Sequence, residues 1–262
     1  MKMVKKILLG MAFTAAVLAF AGCKGAADDP EEAITGSNND YSVDYDNTEG
    51  AEVYRAYHET GMKHSGALVK VTFDKKDFGT SKMGVIFDSH DNATDKEAKD
   101  FYIIGLGTLA KKNFYVSKFT NVTQLREENF GTKLKENPAK EVPIVDLADS
   151  TSITIPAADA DGKITMYVYF KAFDNGSYEY AVLNLTEATA KTINIDKTSL
   201  SALKSALPAA NILTSGEISG AFTGTTIPQN YLAVYAMISP GQHLTGSWKY
   251  CGFYKEAEEI EE

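Results

Sequence analysis

Ile164-Thr165-Met166-Tyr167-Val168-Tyr169-Phe170, then Asp174-Asn175-Gly176-Ser177, then Tyr178-Glu179-Tyr180-Ala181-Val182-Leu183 is the stretch on which the fold class turns. β-Branched and aromatic residues crowd both flanks, the composition that pleated strands favour. Between them Asp, Asn, Gly and Ser supply the positive-φ positions that a tight reversal needs, so the segment predicts a β-hairpin.

Period-two alternation of apolar and polar residues continues on either side, the sign of half-buried strands. Upstream it predicts strands at Ala67 to Phe73, Met83 to Phe87, Phe101 to Leu109 and Asn113 to Phe119, with Lys111-Lys112-Asn113 as a tight connection between the last two. Ser152 to Ile155 reads as a short edge strand stopped by Pro156. Downstream come Thr192 to Ile195, Glu217 to Phe222, Tyr231 to Ser239 and Thr245 to Tyr254. One helix interrupts them: Thr198 or Ser199 can cap it, Leu200, Leu203 and Leu207 share a face, and Pro208 ends it. Glu49 to His58 suits helix or strand. No repeat and no linker divides residues 43–254, which are predicted as one domain.

Short strands, turn signals and one crossing helix predict a mainly β protein, an antiparallel β-sandwich. Met83-Gly84-Val85-Ile86-Phe87-Asp88, Phe101-Tyr102-Ile103-Ile104-Gly105-Leu106 and Asn113-Phe114-Tyr115-Val116-Ser117 resemble successive strands of the concanavalin- or laminin-G-like jelly rolls. An immunoglobulin-like sandwich and a lipocalin-like barrel fit the same spacing.

The N-terminus speaks of location. Lys2, Lys5 and Lys6 precede an apolar run from Ile7 to Phe20. That run is shorter than the about 20 apolar residues needed to cross a hydrocarbon core of about 30 Å. A basic start, a short apolar core and small residues at its end form an export signal. Phe20-Ala21-Gly22-Cys23 resembles the lipobox of bacterial lipoproteins, with Phe20 where Leu is commonest, a relaxed form similar to that of spirochaetal lipoproteins. The resemblance implies that residues 1–22 are a signal peptide and that Cys23 becomes the first residue, diacylated through its sulfur by palmitate-type chains. Acyl burial is worth roughly 0.8 kcal/mol per CH₂, and two chains anchor stably where one holds marginally. It also implies an extracytoplasmic protein, lipid-anchored to a bacterial membrane. Lys24 follows the cysteine where enterobacterial lipoproteins carry Asp for inner-membrane retention, which favours the outer membrane. Residues 23–42 are small, acidic and polar, the composition of a flexible tether. Residues 255–262 read as an acidic tail.

The formal net charge of −9 argues against nucleic acid, which demands clustered Lys and Arg. With Cys23 acylated, Cys251 remains as a lone cysteine, predicted to be a small buried apolar residue with no disulfide partner.

Few motifs carry chemistry. The loop Asp88-Ser89-His90-Asp91-Asn92-Ala93-Thr94-Asp95 is dense in oxygen donors, and Asp88, Asp91, Asn92 and Asp95 could ligate Ca²⁺, although the same residue types compose any solvated turn. No other cofactor is implied. Asp159-Ala160-Asp161-Gly162 reads as a turn. His58 and His64 are six apart around Gly61, the wrong spacing for two zinc ligands on one helical face. A glycosidase needs two facing carboxyls. The concanavalin-like Glu-x-Asp-x-x-Glu pattern is absent, and Glu179 and Glu217, inside predicted strands, fit a polar face. Aromatic rings remain: alternation puts Trp248, Tyr250 and Tyr254 on one face and Tyr231 and Tyr235 on one face of another strand. Trp248, Tyr250 and Tyr235 are the candidate ligand contacts if that face is wet, and core if it is dry.

The sequence is therefore read as a lipid-anchored envelope protein, non-enzymatic, binding a glycan or a host or envelope protein. A carbohydrate-active enzyme of the same fold and a structural envelope lipoprotein are the alternatives. The anchor has a direct test. Cys23→Ser removes the acylated thiol, and the variant is expected to leave the membrane fraction and the detergent phase of a phase-partition assay. Continued membrane partition would show that something other than lipid on Cys23 holds the protein.

Overall fold

The computed structural model describes residues 34–37, 39–48, 50, 53–57, 64–91, 98–109, 112–123, 141–146, 155–173, 177–218 and 231–256. Two antiparallel sheets face one another. Sheet A contains β1 (Ile34–Ser37), β2 (Asp40–Asp46), β4 (His64–Asp74), β9 (Lys163–Ala172), β10 (Tyr178–Leu183), β11 (Ile212–Ile218) and β13 (His243–Glu256). Sheet B contains β3 (Val53–Tyr57), β5 (Ser81–Asp91), β6 (Ala98–Leu109), β7 (Lys112–Thr123), β8 (Glu141–Asp146) and β12 (Tyr231–Ile238). The strand orders are β1-β2-β13-β4-β9-β10-β11 and β3-β12-β5-β6-β7-β8. The fold is the antiparallel β-sandwich that the alternation predicts.

Inward residues follow the period of two. Val69, Val71 and Phe73 of β4, Met166, Val168 and Phe170 of β9, and Trp248 of β13 meet Met83, Val85 and Phe87 of β5, Ile104 and Leu106 of β6, and Val234 and Ala236 of β12 in one core. Removing each large side chain from water is worth roughly 1.5–3 kcal/mol, so this layer holds the sheets together. Trp248 lies fully buried, and its indole N–H donates to the Gly84 carbonyl of the opposite sheet at 2.8 Å. Gly246 has no side chain because the Met83 thioether fills the space a Cβ would take. A 3₁₀ turn, Asp77–Gly79, closes one end: Phe78 stacks on Phe73 with centroids 5.2 Å apart, and buried Asp77 accepts the Thr245 N–H through Oδ2 at 3.0 Å.

The hairpin β9–β10 is buried on both faces. Its outer side is covered by the connection between β10 and β11, which carries α1 (Glu187–Ala190) and α2 (Leu200–Ala206). Leu200 and Leu203 pack with Leu68, Tyr167, Tyr169, Ala181 and Leu183. Ser199 caps α2 by accepting the Ala202 N–H at 3.2 Å, and Pro208 follows its end, as the sequence predicts.

Several expectations need correction. Part of the segment read as tether is sheet: β1 and the start of β2 lie within 23–42, because Ile34, Tyr41 and Val43 supply enough alternating apolar residues to extend sheet A. Thr192 to Ile195 is a turn following α1, not a strand; the Thr192 and Ile193 N–H groups bond back to Thr189 and Ala190. The sequence reading has one helix, and α1 is a second, capped by Thr186. Val53–Tyr57 is strand. Cys251 is exposed, because a β-bulge between Tyr250 and Gly252 inserts it as the extra residue. The same bulge turns Tyr254 to the outer face, away from Trp248 and Tyr250. The hairpin turn at 174–176, the strand expected at 152–154 and residues 219–222 lie outside the described residues.

Tyr250 generates a prediction of unusual sign. Its ring is buried beside Tyr41 and Phe253, and its hydroxyl has no hydrogen-bond partner among the described residues. Burial, with Tyr41 adding, pushes its phenol far above the ordinary 10.0, and burial pushes Tyr167 up to about 12. A raised folded-state pKa leaves stability intact below pH ~10; above it the unfolded chain releases protons that the folded chain keeps, so stability falls as pH rises. Tyr250→Phe deletes the orphan hydroxyl and is expected to raise stability by about 1–2 kcal/mol. It should also make the alkaline decline shallower. Urea unfolding at neutral and alkaline pH reads both; a clear loss of stability would mean that the hydroxyl has a partner.

Candidate functional site

The outer face of sheet A is divided. Toward β9 and β10 it is apolar and covered by the α1–α2 connection; toward β1, β2, β13 and β4 it is polar and open. In the open half, cross-strand register aligns Thr35 with Ser42, Ser42 with Ser247, Ser247 with Thr72, and Thr72 with Thr165. Five hydroxyls from five consecutive strands therefore form one line across the sheet. At a strand spacing of about 4.8 Å, the row is roughly 19 Å long. Thr35, Ser42 and Ser247 are exposed, and Thr72 and Thr165 are half-buried. Thr35 and Ser42 lie 3.4 Å apart through their hydroxyl oxygens, and Thr72 and Thr165 3.0 Å.

Charged side chains border the row in pairs. On one side Lys249 Nζ meets Asp40 Oδ2 at 2.8 Å, and Lys70 meets Glu187 of α1 at 3.6 Å. On the other, His243 Nε2 lies 2.7 Å from Asp44 Oδ1, Thr245 donates to the same carboxylate at 3.5 Å, and Lys163 meets Asp74 at 2.8 Å. Exposed pairs of this kind contribute about 0–1 kcal/mol each to stability, so their consequence is local neutrality rather than strength.

The aromatic candidates lie elsewhere. Trp248 and Tyr250 are in the core between the sheets, closed to any ligand, because Ser247 and Lys249 take the outward positions of the same strand. Tyr235 is 1% exposed on the outer side of sheet B, where it packs with Ile86, Phe101 and Ile103 and shares a hydroxyl–hydroxyl bond with half-buried Tyr115. These rings stabilise the fold and offer no contact surface. Asp88 and Asp91 fall within the span of β5, Asn92 and Asp95 lie outside the described residues, and so does Cys23. Among the described residues, no three His, Cys, Asp or Glu side chains gather in a way that could hold a metal, and no helix is long and apolar enough to cross a membrane.

Two buried charges escaped the sequence reading. Glu179, expected on a polar face, is 5% exposed and accepts the Tyr169 hydroxyl; burial and this carboxylate hold the Tyr169 phenol well above its ordinary range. Lys171, its cross-strand neighbour, is equally buried. Its ammonium donates to the carbonyls of Ile195, Asp196 and Thr198 at 3.1, 3.3 and 3.0 Å, and lies 3.8 Å from the centre of the Tyr254 ring. Three donors find three acceptors, so the charge is accommodated where burial alone would exclude it. The result is a fastening of the α1–α2 connection to the sheet. Glu217 stands opposite Glu179 in register and is exposed. Two carboxyls are thus adjacent, but Glu179 is enclosed beneath the connection and engaged by Tyr169, so the pair does not face a common groove as a glycosidase requires.

No family model and no curated protein matches the chain. Among solved structures, peanut lectin with the nine-residue peptide PVIWSSATG is similar over 83% of this chain and 87% of that one, at 11% identity and a TM-score of 0.30. The sandwich class is read from the two sheets themselves.

Lys171→Met keeps the stem and deletes the ammonium, leaving three carbonyls without their donor. The expected cost is about 2–4 kcal/mol in urea unfolding. Hydrogen exchange should accelerate selectively across 191–199. Unchanged exchange there would show that the apolar contacts of α2 alone hold the connection down.

Proposed function

We propose that this protein is a lipid-anchored, extracytoplasmic binding module of a bacterial envelope, carried on the outer membrane by diacylated Cys23. It engages a glycan or protein partner, without chemistry of its own, through the open half of sheet A. The observation that carries the reading is the hydroxyl row Thr35, Ser42, Ser247, Thr72 and Thr165, exposed at its first three members and half-buried at the last two, beside the β9–β10 face that the α1–α2 connection covers. Lys2, Lys5, Lys6 and the Phe20-Ala21-Gly22-Cys23 stretch support the anchor. From Cys23 to Ile34 the chain can reach at most roughly 40 Å, so the row would stand close to the membrane that bears it.

Ser247 sits at the centre of the row, outward and exposed, so Ser247→Gln fills the face without entering the core. Full-length protein in detergent micelles is screened against glycan and envelope-protein arrays, and the substitution is expected to abolish the selective hit with an unchanged melting temperature. A hit that survives it would locate the contact elsewhere on the molecule.

A further inference from the structure

The chemistry of the row says more about its occupant. Resting on the reading of this face as the contact surface, we infer that the ligand is a neutral, unbranched polysaccharide lying along the row, across the strands. A hydroxyl both donates and accepts, so Ser and Thr meet a ligand hydroxyl in either role. A line of five therefore matches a polymer that repeats hydroxyls along its length. A peptide strand would instead seek the fixed N–H and C=O groups of a sheet edge, which the middle of a sheet face does not present.

Charge points the same way. A polyanion needs clustered cations free to take phosphate, sulfate or carboxylate, but Lys249, Lys163 and Lys70 are already engaged by Asp40, Asp74 and Glu187, and Lys191 meets Glu187 at 2.8 Å. Asp44 has His243 and Thr245 against it. Asp46, two positions further along β2, extends the face with a negative charge and so disfavours a polyanion further. Lys70 and Lys191 share Glu187, and Lys163 and Lys76 share Asp74, and the carboxylates of Asp44 and Asp46 offset that positive excess, so no strong net field steers an ionic chain along the row. No described ring is exposed on it either, since Tyr41 and Trp248 point inward from the same strands. Each hydroxyl contact contributes little by itself, so binding accumulates with the number of sugar residues that the row can hold.

The test uses full-length protein in detergent micelles and two probe series of matched length: neutral linear glucan oligosaccharides and oligogalacturonates. Affinity for the neutral series is expected to climb with length and to change by less than about twofold between low and high salt. Thr72→Val with Ser247→Ala removes two hydroxyls and little shape; it should weaken that binding by about tenfold or more, with the melting temperature lowered only by as much as the lost Thr72–Thr165 hydrogen bond accounts for. Salt-sensitive preference for the galacturonates, lost in the double variant, would overturn neutrality while leaving the face as the contact surface. A protein partner bound through the row with no glucan binding would overturn the glycan assignment in the same way. Glucan binding that the double variant leaves untouched would overturn both the inference and the proposed contact face.

Discussion

Trp248 bridges the two sheets, and much of the outer surface follows from where it points. Its indole has to face inward to fill the core and reach the Gly84 carbonyl. Side chains alternate along a strand, so Ser247 and Lys249 must then face outward. Register carries that parity sideways, from Ser247 to Ser42 and Thr35 on one flank and to Thr72 and Thr165 on the other. The hydroxyl row is thus the outer side of a constraint set in the core. A slip of one residue in any of these pairings would send hydroxyls inward and apolar residues out, a cost that the packed inner layer does not permit.

The division of sheet A into a covered and an open half is a second consequence of composition. Beyond Thr165, β9 presents Tyr167, Tyr169 and Lys171 outward; beyond Lys70, β4 presents Leu68. An apolar strip of that width in water is unfavourable at roughly 25 cal/mol per Å². The α1–α2 connection covers it, and Ile195, Leu200 and Leu203 contribute the apolar contact. Lys171 then serves two ends: its stem lies within the covered layer, and its ammonium satisfies carbonyls of a turn that forms no ladder. The Lys70–Glu187 pair lies where the cover stops and the polar face begins.

Local patterns in the sequence are enough for the hairpin β9–β10 and for α2, because turn residues, β-branched runs, a Ser cap and a Leu stripe all act within a few residues. What escaped depends on distant partners. β2 joins the sheet by pairing with β13, some two hundred residues away in sequence, and β1 by pairing with β2; their alternating Ile34, Tyr41 and Val43 count as strand residues only once that partner is in place. The exposure of Cys251 and the turning of Tyr254 come from a bulge opposite β4, which nothing in Tyr250-Cys251-Gly252 announces beyond its glycine. Glu179 looked solvated because alternation cannot tell a wet face from one covered by a later segment. The row is the extreme case: it needs the register of five strands drawn from residues 35 to 247, so no window of sequence contains it.

A surface of this kind would gain from the anchor proposed above. Hydroxyl contacts exposed to water compete with water itself, and each adds only about 0.5–1.5 kcal/mol at best. A single sandwich in solution would hold a neutral chain weakly and briefly. Fixing many copies in one membrane, as the proposed anchor would, changes the arithmetic, because a polymer held by one copy would meet the next at high local concentration, and avidity can exceed single-site affinity by about 10²–10⁴. Weak, uncharged, repetitive contact and the proposed lipid-held array would therefore complement one another. The row begins at Thr35, one residue beyond Ile34, where the described part of sheet A starts. On the proposed anchor, such a ligand would lie close to the surface that bears neighbouring copies, an arrangement in which one polymer could reach several of them.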